Sequence, residues 1–93
     1  MKTQKAQNIS LTDVIAAQAR IGGAIVRTPC ELSMGLSELT GSTVWCKREY
    51  RQRTGSFKER GARAALSLLS RDVARRGVIA ASAGNHALGL AWH

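Results

Sequence analysis

Leu11, Val14, Ala17 and Ile21 recur at helical spacing behind Ser10-x-x-Asp13, a helix-start signature, and Gly22-Gly23 stops the pattern. Thr28-Pro29 then forces an extended stretch. A short helix is expected from about Ser33 to Gly41, and Thr43 through Lys47 reads as a strand. A longer helix carrying Lys58 is expected to run to about Ser70, with Phe57, Gly61, Ala64, Ala65 and Leu68 on its apolar face. Arg60, Arg63, Ser67 and Arg71 recur on the opposite, solvated face. Arg71 through Arg76 makes a further turn or short helix, and Gly77 releases the chain into a second strand, Val78-Ile79-Ala80-Ala81. Ser82-Ala83-Gly84-Asn85 breaks that strand before a last helical stretch, Ala87 through Trp92. The order is alternating α/β, without repeats or low-complexity tracts.

Two helix starts carry candidate chemistry. Ser56-x-x-Glu59 reads as a capping box, with the Ser56 hydroxyl accepting from the Glu59 amide and Glu59 reaching back to the Ser56 amide. Lys58 therefore falls in the first turn of its helix. A helix N-terminus disfavours a second positive charge, and the neutral amine it favours is the form that Schiff-base chemistry uses. Gly55, ahead of the helix, lets a ligand approach the backbone. At the second start, a strand passing through a Gly-containing turn into a helix presents unpaired amides suited to a carboxylate or phosphate, and Asn85 and His86 add an amide and an imidazole. Taken singly, Lys58 also fits a surface lysine, and Ser82–His86 an ordinary N-cap turn.

Together the residues resemble fold-type II pyridoxal-phosphate enzymes, in the branch of threonine and serine dehydratases and serine racemases. The resemblance runs from Arg27-Thr28-Pro29 through Leu36-Ser37-Glu38-Leu39-Thr40-Gly41 and Lys47-x-Glu49-x-x-Gln52-x-Thr54-Gly55-Ser56-Phe57-Lys58-x-Arg60-Gly61-Ala62 to Ser82-Ala83-Gly84-Asn85-His86-Ala87. Phe57 and His86 point to the dehydratase branch; Arg48, Tyr50 and Leu88 depart from the common pattern and leave substrate choice open. The resemblance implies a tryptophan synthase beta-like, three-layer α/β/α architecture, incomplete in this chain. Residues 1–76 would belong to the lysine-bearing domain and residues 77–93 would open a second, smaller one, with the site in the cleft between them. It further implies pyridoxal 5'-phosphate as cofactor, bound covalently by Lys58, packed by Phe57 and hydrogen-bonded at its phenolic oxygen by Asn85. Ser82 with the amides of Ala83, Gly84, Asn85 and His86 resembles the loop that binds the substrate carboxylate.

The implied activity is that of an L-threonine/L-serine ammonia-lyase, with serine racemase as the alternative and a homo-oligomer as the full-length form. The family's Gly-rich phosphate loop and the polar partner of the pyridine nitrogen have no counterpart before His93. The chain is therefore expected to be an N-terminal piece of a longer enzyme and inactive alone.

Composition changes this picture little. Of the 93 residues 44% are hydrophobic, enough for one small core, and no apolar run approaches the roughly 20 residues that span a bilayer. No secretory h-region is visible in Met1 through Ser10, so the expected location is cytoplasmic, away from membranes. Cys30 and Cys46 have neither disulfide nor metal-site spacing and are expected to be small core hydrophobes; no metal is expected. The net charge of +8 is concentrated between Lys47 and Arg76, where ten basic residues face three acidic ones. That stripe raises a small nucleic-acid-binding module as a further alternative, disfavoured because one Phe and one Tyr offer little to stack on bases.

Overall fold

The computed structural model describes residues 7–93. These residues form five α-helices and one small sheet: α1 (Leu11–Ile21), β1 (Cys30–Leu32), α2 (Met34–Thr40), β2 (Trp45–Lys47), α3 (Lys58–Leu66), α4 (Arg71–Arg75) and α5 (Asn85–Trp92), with a 3-10 turn at Glu49–Arg51. This is a partial α/β fold. The capping box expected at α1 forms: the Ser10 hydroxyl accepts from the Asp13 amide at 3.2 Å while the Asp13 carboxylate accepts from the Ser10 amide at 2.8 Å. The Ser10 amide, with the Ser10 hydroxyl also donating to the carboxylate at 2.8 Å, holds the Asp13 carboxyl below its ordinary pKa.

Strands β1 and β2 pair antiparallel, with Cys30 opposite Lys47, Glu31 opposite Cys46 and Leu32 opposite Trp45. Backbone bonds from Arg48 to Pro29 and from Ser33 to Val44, both 2.9 Å, extend the pairing at either end. Pro29, which has no amide to donate, therefore sits where only its carbonyl is needed.

The interior is held by polar groups more than by apolar ones. Ile21 and Ala62 are the buried apolar residues among those described, whereas Thr28, Gln52, Ser56 and Glu59 are buried polar ones. Thr28 and Gln52 are both satisfied at the Glu49 carboxylate. The Arg60 guanidinium donates to both oxygens of Glu49 at 2.8 Å, the Thr28 hydroxyl donates to the same carboxylate at 2.6 Å, and the Gln52 amide adds a longer bond at 3.3 Å. Gln52 also closes a two-way pair with the Val26 backbone, accepting from its N–H at 3.1 Å and donating to its carbonyl at 2.9 Å. Lys47 Nζ donates to the Thr28 carbonyl at 2.6 Å and Arg53 to the Ala24 carbonyl at 2.8 Å. The segment after α1 is thus clamped to the segment leading into α3. The bidentate arginine, with the Thr28 hydroxyl assisting and against the opposing effect of burial, draws the Glu49 carboxyl from 4.5 down to about 2.

Several expectations from the sequence are corrected here. Helix α3 ends at Leu66, short of Ser70, because the amides of Leu68 and Leu69 bond back only three residues and Ser70 turns to cap α4. The Val78–Ala81 run carries no ladder bonds, since the sheet of the described residues contains β1 and β2 alone. The strand at Thr43–Lys47 is shortened to Trp45–Lys47. The buried face of α3 is Glu59 and Ala62, turned from the apolar stripe read in the sequence; Gly61, Ala65 and Leu68 are exposed. Arg60 leaves the solvated face for Glu49. Cys30 is exposed and Cys46 half-buried, because neither face of the two-stranded sheet is fully covered.

Much apolar surface stays open: Leu11 is 75% and Ile79 100% exposed. The radius of gyration, 16.6 Å, exceeds the roughly 12 Å of a compact domain this long. No helix of the described residues is long and apolar enough to cross a membrane.

The clamp generates a pH dependence. Because the folded-state pKa of Glu49 lies below 4.5, its contribution to stability is complete above that pH and is lost as the pH falls toward about 2. Urea unfolding of the full-length protein should therefore show parent and Glu49→Gln curves that are well separated at pH 7 and draw together as the pH falls to about 2. Arg60→Ala should cost about 1–2 kcal/mol at pH 7, the lower part of the range for charged hydrogen bonds because the guanidinium still meets solvent.

Candidate active site

The chain reaches Lys58 through a tight loop whose geometry depends on a left-handed glycine. Gly55 has φ +82°, a conformation that any side chain would strain, and its amide closes a turn onto the Gln52 carbonyl at 2.9 Å. A Cβ at Gly55 would meet open space, so the backbone there is accessible. Lys58 is the first residue of α3, as the sequence predicts. Its side chain is exposed, and Nζ lies 5.4 Å from the centroid of the Phe57 ring, within cation–π range. Among the described residues this amine has no ion pair.

The capping box expected at Ser56 and Glu59 is replaced by a different arrangement. Phe57 occupies the N-cap position, and the Ser56 hydroxyl accepts from the Lys58 amide at 3.3 Å. Glu59, fully buried, accepts from the Thr54 amide at 2.8 Å through one oxygen and lies 3.0 Å from His93 Nε2 through the other. One oxygen is thus engaged by the loop ahead of α3 and the other by the end of α5, which draws Glu59 away from the Ser56 amide. Burial pushes the Glu59 carboxyl up, but the Thr54 amide and the His93 ring outweigh it and bring the pKa below the ordinary value.

Helix α5 lies on α3. The approach is closest at Gly89, where a Cβ would stand 3.3 Å from both the Ala62 side chain and the Lys58 carbonyl. The helix carrying the Asn-His motif thus rests on the backbone of the lysine itself. At its start, the Ser82 hydroxyl accepts from the amides of Gly84 at 3.1 Å and Ala87 at 3.0 Å. The amides of Ala83, Asn85 and His86 have no partner among the described residues, and neither does the Asn85 side chain. Asn85 is exposed and His86 half-buried.

Three features fit a covalently held, polar, anionic group near Lys58. The first is a free primary amine on the first turn of a helix; the second is an accessible glycine beside it. The third is the Thr54 hydroxyl, which is buried without a hydrogen-bond partner in the same loop. No group of His, Cys, Asp or Glu able to hold a metal occurs among the described residues. The basic stripe is partly consumed by the fold, with Lys47, Arg48, Arg53 and Arg60 each bonded to protein acceptors.

The sequence did not reveal Glu59 with His93, nor the roles of Thr28, Glu49, Gln52 and Arg60. All but His93 lie inside motifs visible in the chain. A carboxylate three residues from an amide, ahead of an arginine on the next helix, was the available sign for the Glu49 cluster. For Glu59 and His93, 34 residues apart, only the packing of α5 on α3 reveals the pair.

A lysine on the first turn of α3, with the Gly-Asn-His helix α5 packed on that same helix, is the arrangement that comparison with known proteins places in a family. Residues 21–93 match the family model described as pyridoxal-phosphate dependent enzyme, and the chain belongs to that family. It is 47% identical over 83 residues to the L-threonine ammonia-lyase of Thermotoga maritima, covering 89% of this chain and 21% of that protein. Among solved structures, a threonine deaminase from T.th. matches with a TM-score of 0.75 at 42% identity, over 90% of this chain and 30% of that one. Maize serine racemase matches with a TM-score of 0.75 at 36% identity, over 84% and 24%. The chain spans about a quarter or less of the length of such curated relatives, from 20% to 26%.

The Gly89 contact is testable. Alanine in a helix interior is favoured over glycine by about 1 kcal/mol. Here the atoms a methyl would crowd are the Lys58 carbonyl and a core methyl, neither of which can swing aside. Overpacking of about 1–3 kcal/mol should outweigh the propensity gain. In the full-length protein Gly89→Ala should lower Tm, and Gly89→Val should lower it further, as read by calorimetry.

Proposed function

We propose that this chain is the lysine-bearing N-terminal part of an L-threonine or L-serine ammonia-lyase. The observation that supports the reading is the packing of the Asn85 helix onto the Lys58 helix through Gly89, so that the helices carrying the two chemical motifs are in contact. On this reading residues 1–76 carry the lysine, residues 77–93 open a second α/β part, and the site lies where α3 and α5 meet.

Lys58 would hold pyridoxal phosphate through its side-chain amine, Phe57 would pack beside the ring, and Asn85 would hydrogen-bond it. When bound, the cofactor supplies an electron sink for the charge that develops at the substrate Cα. The protein's own part is binding, orientation and proton transfer. The unpartnered amides of Ala83, Asn85 and His86 stand at the positive end of α5, where a substrate carboxylate is favoured. Ser82 braces that turn through the Gly84 and Ala87 amides, so its role is to fix the loop while the remaining amides bind. A carboxylate held there would anchor the substrate so that its Cα–H could be presented to Lys58. The Lys58 amine would be the group that takes that proton. The β-hydroxyl would leave as water, with a proton balancing the one removed from Cα, and hydrolysis of the released enamine would give a 2-oxo acid and ammonia.

The likeness to maize serine racemase supports one alternative, a racemase. Such an enzyme would share these residues and return a proton to the opposite face.

In the full-length protein, borohydride reduction followed by peptide mapping should find the cofactor on Lys58. Lys58→Ala should abolish 2-oxo acid formation from L-threonine and L-serine. Lys47→Ala should retain it, because Lys47 Nζ serves the Thr28 carbonyl. Cofactor on another lysine, or equal losses from both variants, would refute the assignment; D-serine accumulating without 2-oxo acid would select the racemase.

A further inference from the structure

We infer that His93 is a positioning residue: through Glu59 it locks the Thr54-Gly55 loop and the register of α5, and so sets the distance between Asn85 and Lys58. The inference rests on the cofactor roles proposed above for Lys58 and Asn85.

The geometry carries it in three steps. Asn85 and Gly89 lie on α5 and His93 is its C-cap, each four residues from the next, so the three follow one side of the helix over about 12 Å along its axis at 1.5 Å per residue. Gly89 meets the Lys58 carbonyl, and His93 reaches Glu59, the residue after the lysine. Asn85 is therefore held about 6 Å along the axis from the point where α5 touches the lysine's backbone.

Burial then makes the lock firm. The side chains of His93 and Glu59 are 4% and 0% exposed, so the carboxylate has no water to fall back on. Its partners are the ring of His93 and the amide of Thr54. Removing the ring leaves a buried carboxylate half satisfied, a costly state that relaxes by moving Glu59 toward solvent. Such movement releases the Thr54 amide and with it the loop that includes Gly55 and leads to Lys58. Arg63, whose Nε is buried without a partner, is the other charged group near this junction, lining the same hollow as His93.

The test uses the full-length protein with His93→Ala, His93→Gln and the double variant Glu59→Leu/His93→Leu. Two readouts are taken: hydrogen exchange of the peptide covering residues 52–58 against one covering 30–47, and the dissociation constant for pyridoxal phosphate. In His93→Ala, exchange in 52–58 should quicken roughly tenfold while 30–47 stays as in the parent. His93→Gln, which keeps a donor for Glu59, should restore slow exchange. The apolar double variant fills the space and remains folded, yet should bind the cofactor several-fold more weakly, because the loop has lost its acceptor.

Unchanged exchange in 52–58, an equal rise in both peptides, or parent-like cofactor affinity in the double variant would overturn the inference. A parent that binds no cofactor would refute the functional reading, while the exchange comparison would still decide the role of His93.

Discussion

The Glu49 carboxylate is the constraint on which the rest of the arrangement depends. It gathers donors from Thr28, Gln52 and Arg60, which lie in three separate stretches of chain. A hydrophobic core could not do this here, since Ile21 and Ala62 alone are buried apolar residues among those described. Dispersed charged hydrogen bonds substitute for it, and they are directional where apolar packing is not. The consequence is geometric. Arg60 lies two residues past Lys58, so tying it to Glu49 fixes the rotation of α3 and thereby the direction in which the lysine leaves the helix.

A second polar lock works on another side of α3. Glu59 is bonded to Thr54 behind it and to His93 ahead of it, while Gly89 allows α5 to come within van der Waals reach of the lysine's carbonyl. Neighbouring residues of α3 thus face two different tethers, with the Lys58 side chain left exposed beside them. An amine held by its backbone and left free at its tip is suited to covalent chemistry. The apolar residues that remain uncovered on α1, α2 and α5 contribute little to this local order.

The chemistry was more legible in the sequence than the packing. Lys58 at a helix start and the Asn85-His86 turn at another follow from local rules of capping and turn composition, and the structure has helices starting at both places. The α1 capping box and the stop of α2 at Gly41 were readable for the same reason. What failed required knowledge of long-range partners. Val78–Ala81 has strand composition, but a strand exists only when something pairs with it. Ser56 and Glu59 had capping-box spacing, yet a buried histidine 34 residues away competed successfully for the carboxylate. Arg60 looked like one of several exposed arginines at helical spacing until Glu49 was seen opposite it.

On the proposed function, Lys58 and Asn85 belong to one cofactor site whose spacing is set by the α3–α5 junction. A crystal structure of the full-length protein with pyridoxal phosphate tests this most directly. Continuous density should run from Lys58 Nζ into the cofactor, with the Asn85 amide within hydrogen-bond distance of the ring substituents and Gly89 still seated on the Lys58 carbonyl. Cofactor density joined to a different residue, or an Asn85 side chain too far away to reach it, would contradict the account.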